Sequence, residues 1–115
     1  MGFPETCALI ECDVRQIWLC QSSIAEAEER FGRIDVVINT ASKSMVILVG
    51  PGELTVAFVG AVEEISDWNF REQLEVNFFG TVNIIRCVLP SMRRRRSGHI
   101  INITGLSMSP RKLID

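Results

Sequence analysis

Residues 28–41 read EERFGRIDVVINTA, and this stretch decides the fold class. Residues 28–31 at its start belong to the amphipathic pattern Ile24–Phe31, which predicts a helix. This helix is predicted to begin at the serine pair, residues 22–23, or earlier, near Gln16. Gly32 predicts the end of this helix, because glycine readily adopts the left-handed conformation of a C-cap. The apolar run Ile34–Ile38 then predicts a buried strand, as in α/β proteins with parallel sheets.

Apolar runs on either side of this stretch predict two more strands. Thr6–Cys12 precedes the helix, and His99–Thr104 lies near the end of the sequence. A long helical pattern, Asp67–Leu89, separates the later strands, with Ser66 as its N-cap and Pro90 at its end. This alternation predicts βαβ construction and a parallel sheet.

The two later strands are predicted to be parallel neighbours at the structural centre. Both are continuous apolar runs, which is typical of parallel strands that are buried on two sides. The Asp67–Leu89 helix is expected to supply the right-handed crossover and to cover one face of the pair. The residues predicted to face this core are Phe70, Leu74, Phe78, Ile85 and Val88. Arg93–Arg96 is predicted to be a polar connection between helix and strand.

Residues 42–59 interrupt this alternation of strand and helix patterns. Met45–Val59 is expected to form an antiparallel hairpin that turns at Gly50–Glu53, outside the parallel sheet.

Composition excludes several classes of function. The chain has 115 residues, 47% of them hydrophobic, and a formal net charge of −2. Near-neutral charge removes the general electrostatic argument for nucleic acid or membrane binding. The longest apolar run, Met45–Val49, is far too short to cross a bilayer. Four cysteines without C-x-x-C spacing and a single histidine argue against a metal site, and favour reduced thiols in a cytoplasmic protein.

Four segments in order resemble the short-chain dehydrogenase/reductase family: Glu11–Val14, Glu28–Ala41, Val76–Thr81 and Ser97–Thr104. The resemblance covers about residues 6–105 apart from residues 42–59. It implies a single incomplete domain over residues 1–115 in which residues 42–59 are an insertion, and either a genuine inserted hairpin or an error in the gene structure accounts for them. It implies a partial Rossmann-type doubly wound parallel sheet, in which the three predicted strands are the third, fourth and fifth of the family sheet. It also implies an NAD or NADP cofactor and oxidation or reduction of an alcohol/carbonyl pair.

The resemblance assigns cofactor-binding roles to two places. Asp13 matches the carboxylate that accepts a hydrogen bond from the adenine amino group, and Val14 gives the adjacent backbone contact. Asn39-Thr40-Ala41-Ser42 matches the Asn-Asn-Ala-Gly turn, whose backbone lies against the adenine ribose. Ser42 replaces a glycine that can adopt positive φ, which disfavours close approach of the cofactor. The alternative is that the Asn39 side chain only forms hydrogen bonds with nearby backbone groups.

Asn77 is the one candidate catalytic residue. In the family, the matching asparagine sits at a helix break and holds a water that leads to the catalytic lysine. Asn77 lies within a predicted apolar face, where an unsatisfied amide would cost about 1–3 kcal/mol. The alternative is that Asn77 is a helix-packing amide at a dimer interface.

The groups that carry the family's chemistry are missing from the sequence. The chain contains no tyrosine, so the Tyr-x-x-x-Lys pair is absent, and Gly105 occupies the position of the family's serine. The glycine-rich turn that places pyrophosphate on a helix N-terminus is absent too. We therefore expect an inactive fragment of the family. The alternative function is a non-catalytic interaction module that forms homo- or hetero-oligomers through the 67–89 helix.

Overall fold

The computed structural model describes residues 5–42 and 62–103. These residues form three α-helices and a two-stranded parallel sheet: α1 is Ile17–Phe31, β1 is Val36–Asn39, α2 is Asp67–Leu74, α3 is Thr81–Arg95 and β2 is His99–Asn102. A short 3₁₀ turn, Val62–Glu64, precedes α2, and a π-helical segment, Glu75–Gly80, joins α2 to α3. Within the described ranges, no helix is long and apolar enough to span a membrane.

The strands β1 and β2 are adjacent and parallel, as the sequence predicts. Val36 pairs with His99 at one end of the ladder, and Asn39 pairs with Asn102 at the other. Backbone hydrogen bonds lie at both ends of this ladder. His99 N donates to Asp35 O at 2.9 Å, and Ile103 N donates to Asn39 O at 2.9 Å. The α/β class with a parallel sheet is thereby confirmed.

Local sequence signals correctly locate both ends of α1 and the start of α2. The first helix starts directly after Gln16, which agrees with the earlier of the two predicted starts, and Gly32 caps its end at φ 86°. At the start of α2, Ser66 Oγ accepts a hydrogen bond from Asn69 N at 3.2 Å. Each of these signals depends on a few neighbouring residues, so the sequence alone is enough to locate them.

The predicted helix end at Pro90 is wrong, because α3 continues through Pro90 to Arg95. Arg93–Arg96 is therefore mainly the last turn of a helix rather than a polar connection. Burial of Met92 after the proline favours this extension. The helix closes at Arg96, which has φ 55°, and Ser97 N donates to Met92 O at 3.2 Å. This closure satisfies carbonyls that the helix end would leave without partners.

The predicted strand Thr6–Cys12 is also wrong. Residues 7–13 have no helix or strand assignment, and in the described residues the sheet consists of β1 and β2 alone. An apolar run becomes a strand only when a neighbouring strand completes its ladder, and within the described residues no strand lies beside this run. The predicted hairpin at Met45–Val59 lies outside the described residues.

The core lies where α1 packs against α3, and it agrees with the predicted core at Val88 but not at Leu74 or Phe78. Cys20 and Val88 are fully buried, and Met92 is nearly so. Phe78 and Leu74 were expected in the core but are 57% and 54% exposed. Phe78 lies within the π-helical segment, whose wider turns direct its side chain differently from a continuous α-helix.

The two faces of the sheet differ in exposure. Val37 and Ile100 are half-buried on one face, and Ile100 shares a pocket of about 390 Å³ with Leu89 of α3. On the opposite face, Val36, Ile38 and Ile101 are exposed. The helix therefore lies toward one face as expected, but the strands are not buried on both sides, because α1 packs against α3 rather than on the open face.

Candidate functional site

Asp13 lies at the end of the extended segment before α1, and Arg15 holds its carboxylate on both oxygens. The Arg15 side chain donates from Nη2 to Asp13 Oδ2 at 2.7 Å and from Nε to Oδ1 at 3.0 Å. The backbone N–H of Arg15 also donates to Oδ1 at 3.0 Å. The side-chain and backbone hydrogen bonds from Arg15 lower the pKa of Asp13 from its ordinary 3.8. Asp13 is thus an ionised, oriented acceptor.

Arg15 also ties this segment to α2. Its Nη1 donates to Glu72 Oε2 at 2.9 Å, so one guanidinium bridges two carboxylates. The side-chain hydrogen bond and the charge of Asp13, together with the charge of Glu72, raise the pKa of Arg15 above its usual value. The bridge fixes the direction of the Asp13 carboxylate relative to the helix.

Val14 is held through its backbone carbonyl. Asn83 of α3 donates from Nδ2 to Val14 O at 2.9 Å, and the Cys20 thiol donates to the same oxygen at 3.6 Å. A carbonyl has two lone pairs, so both donors can be accommodated. Helices α1 and α3 consequently fix the backbone of this residue from two sides.

Gly80 allows the chain to approach Val14 closely. A Cβ built at Gly80 would lie 2.5 Å from Val14 Cγ2 and 3.0 Å from Val14 Cβ. Gly80 is itself buried and is the last residue of the π-helical segment. Any side chain at position 80 would separate α3 from the Asp13-Val14 segment.

Asn39 lies at the carboxyl end of β1 and contacts the matching end of β2. Its Nδ2 donates to Asn102 Oδ1 at 2.8 Å, and its carbonyl accepts from Ile103 N at 2.9 Å. Thr40 and Ala41 follow as exposed residues without regular structure. The Asn39 side chain therefore joins the two strands where they end, which is where parallel sheets bind ligands.

Asn77 lies in the π-helical segment, which matches the helix break implied by the resemblance. Its carbonyl accepts a hydrogen bond from Thr81 Oγ1 at 3.3 Å. The prediction that its amide is buried in an apolar face is wrong, because Asn77 is exposed. The π-helical segment explains this too, since it changes the direction of the side chains on this part of the helix.

The structure thus gathers part of the predicted site. Asp13 and Val14 form one unit with the helical stretch 67–95, through Glu72, Gly80 and Asn83. The contacts of Asn39 lie instead at the end of the sheet. The sequence analysis did not identify Arg15 or Asn83, because the contacts of Arg15 with Glu72 and of Asn83 with Val14 are fixed only by tertiary packing. Gly80 could be singled out from the sequence, because it lies in the Val76–Thr81 segment that resembles the family.

The described residues fit the adenosine end of a dinucleotide better than any other part of it. Two carboxylate oxygens offer about four acceptor positions, and Arg15 already makes four hydrogen bonds to them from three donor atoms. The longest of these, from Nε to Oδ2 at 3.2 Å, is the one that an exocyclic amine can replace. No glycine-rich turn leading into a helix occurs in residues 5–42 or 62–103. In the same ranges, no group of three or more His, Cys, Asp or Glu side chains could hold a metal.

Comparison with known proteins identifies the family. A sequence model of the short chain dehydrogenase family matches residues 4–110, and the chain belongs to this family. The L-fucose dehydrogenase of Mus musculus is 38% identical over 94 residues, which are 82% of this chain and 30% of the relative. The chain therefore spans about three-tenths of the length of this relative.

Solved structures give the same result for the fold. A short-chain dehydrogenase from Streptomyces avermitilis matches 80% of this chain and 29% of its own length, with a TM-score of 0.64 and 30% identity. ElxO with NADP bound matches 78% of this chain and 32% of its own length, with a TM-score of 0.65 and 24% identity. The cofactor of the family is NAD or NADP, as the resemblance implied.

Proposed function

We propose that this chain is the central part of an NAD(P)-dependent oxidoreductase that acts on an alcohol/carbonyl pair, and that it contacts the adenosine side of the cofactor. Asp13 would accept the adenine amino group, and Val14 would contact the ring through its backbone. Asn39-Thr40-Ala41 would lie against the ribose. The observation that carries the proposal is the fixed Asp13 carboxylate, bridged to α2 through Arg15 and Glu72.

The proposal divides the chemistry between cofactor and protein. NAD(P), when bound, supplies hydride exchange with the substrate. The chain's own residues orient the adenosine half, and Asn77 is proposed to order a water at the helix break. Proton transfer at the substrate oxygen requires a donor near that atom, and the sequence contains no tyrosine to act as one. The 115-residue chain is therefore proposed to bind weakly and not to turn over.

Nuclear magnetic resonance titrations with two halves of the cofactor test this assignment. We expect 5′-AMP to shift the amide resonances of Asp13, Val14 and Asn39, while nicotinamide mononucleotide leaves them unchanged. D13N should reduce the shifts caused by 5′-AMP, and E29Q, which removes an exposed carboxylate on α1, should not. Equal responses to both mononucleotides, or shifts confined to other residues, would contradict the proposal.

A second candidate function is an interaction module that binds a full-length member of the same family. Large apolar side chains are exposed along the stretch 67–89, namely Trp68, Leu74, Phe78 and Phe79. Phe78 and Phe79 also pack edge to face, with ring centroids 5.1 Å apart. Clustered apolar surface of this kind is typical of protein interfaces.

Light scattering after size exclusion distinguishes this candidate. The chain mixed with a full-length relative should elute as a hetero-oligomer, and F78D should abolish the complex because it buries a charge in the interface. L9D is the matched control, since Leu9 is 79% exposed and lies outside the helical stretch. Independent elution of the two proteins would refute the interaction.

Four free cysteines support a cytoplasmic location for either function.

A further inference from the structure

Two of the four cysteines, Cys12 and Cys20, lie next to one another beside the Asp13-Val14 segment. Cys12 Sγ lies 4.0 Å from Cys20 Sγ, across the contact between the extended segment and α1. Cys20 is fully buried, whereas Cys12 and Cys87 are half-buried. Burial raises the pKa of Cys20 to about 12, and the charges of Cys12 and Cys87 act in the same direction. The Cys12 and Cys20 thiols therefore lie side by side where the extended segment meets α1.

The orientation of these thiols favours one pair. The Cys12 thiol donates toward Cys20 Sγ, and the Cys20 thiol donates to Val14 O at 3.6 Å. A disulfide requires an S–S separation of about 2.05 Å, so the sulfurs must approach one another by roughly half their present distance of 4.0 Å. Cys12 can make this movement because residues 7–13 have no strand pairing to break.

We propose that Cys12 and Cys20 are a peroxide-sensitive disulfide site next to the adenine-side segment. The half-buried Cys12 is accessible to a small oxidant, and the buried Cys20 is the resolving thiol. The bond would close a ring that contains Asp13, Val14 and Arg15. It would also remove the Cys20 S–H donor from Val14 O and leave Asn83 as the described side-chain donor to that oxygen.

The reaction takes two balanced steps with hydrogen peroxide as oxidant. In the first, Cys12 sulfur attacks one peroxide oxygen, an S–O bond forms and the O–O bond breaks. The thiol proton leaves with the departing hydroxide as water, and Cys12 becomes a sulfenic acid. In the second, Cys20 sulfur attacks Cys12 sulfur, the S–S bond forms and the S–O bond breaks. The hydroxyl group leaves with the Cys20 proton as a second water.

Peptide mapping of the oxidised chain tests the site directly. Trypsin cleaves after Arg15, so Cys12 and Cys20 fall in separate peptides, residues 1–15 and 16–30. After treatment with a molar excess of peroxide and alkylation, these two peptides should appear linked and should separate on reduction. Because Cys7 shares the first peptide, the C7S variant assigns the bond to Cys12.

Cysteine variants and a denatured sample test whether the fold selects the Cys12–Cys20 pair. C7S and C87S should retain the link, C20S should lose it, and the same treatment in denaturant should give mixed pairings because the fold no longer selects the pair. In the wild-type chain, the Val14 amide resonance should shift on oxidation and return on reduction. A link through Cys87, an overoxidised Cys12 beside an alkylated Cys20, or equal linkage in denaturant would overturn the proposal.

Discussion

Gly80 and Val14 lie so close together that a Cβ at position 80 would come 2.5 Å from Val14 Cγ2. Real Cβ atoms do not approach other carbon atoms this closely, so the helical stretch and the adenine-side segment depend on a residue without a side chain. The same segment is bound to that stretch by Asn83 and, through Arg15, by Glu72. The Asp13-Val14 segment is therefore positioned by the helices rather than by a strand.

Gly80→Ala should lower the free energy of unfolding by about 1–3 kcal/mol, because overpacking outweighs the higher helix propensity of alanine. Thermal unfolding followed by circular dichroism measures the change. V14A removes the Cγ2 atom in the clash, so the double variant should lose less than the sum of the two single variants. Strict additivity would show that the two residues do not touch.

Asn83→Asp should destabilise the chain by about 1–3 kcal/mol, because it replaces the donor to Val14 O by an acceptor of the same shape. Urea unfolding at neutral pH gives the difference. N69D is the matched control, because Asn69 lies in the first turn of α2, where a negative charge is favourable. The contact with Val14 would be disproved if both variants were equally stable.

The Asp13 carboxylate should make stability depend on pH in the acid range. Its pKa in the folded chain is lowered from 3.8 by hydrogen bonds from Arg15. A group whose folded pKa is depressed stabilises the fold above its unfolded pKa and loses that contribution as pH falls through the folded value. Thermal midpoints should therefore fall below about pH 4, and less steeply in D13N. If the thermal midpoints of the wild-type chain and D13N changed with pH in the same way, the Asp13–Arg15 ion pair would not exist in solution.

Local features of this fold could be read from the sequence, whereas features that depend on distant partners could not. Gly32 and Ser66 end and start helices through contacts with their own neighbours. The strand prediction at Thr6–Cys12 failed because a ladder needs a second strand, and the burial of Phe78 was mispredicted because the π-helical segment rotates the helix face.

The candidate site likewise contains residues that the sequence could identify and residues that it could not. Asp13 could be found because its family has a recognisable segment at that position. Its direct partner, Arg15, is only two residues away. The residues that attach the Asp13-Val14 segment to the helices, Glu72 and Asn83, lie 57 and 69 places from their partners, and packing alone fixes those pairings. Arg15 in particular has no pattern that distinguishes it from a solvent-exposed arginine.

The isolated chain should show no dehydrogenase activity. It contains no tyrosine to act as the proton donor or acceptor, and general acid–base catalysis requires such a group near the substrate oxygen. Absorbance of the reduced nicotinamide, followed with a panel of secondary alcohols and ketones, measures turnover, with a full-length family member as the positive control. Turnover that survives repurification of the chain would contradict this prediction.

Calorimetric titration of the purified chain with NADH and NADPH tests the central claim most directly. If the described residues contact only the adenosine side, nothing among them holds the pyrophosphate, and helix N-termini or glycine-rich turns are what bind that group tightly. We predict a dissociation constant weaker than about 1 mM for both cofactors, which corresponds to less than about 4 kcal/mol of binding free energy. Micromolar binding of either dinucleotide would contradict the account.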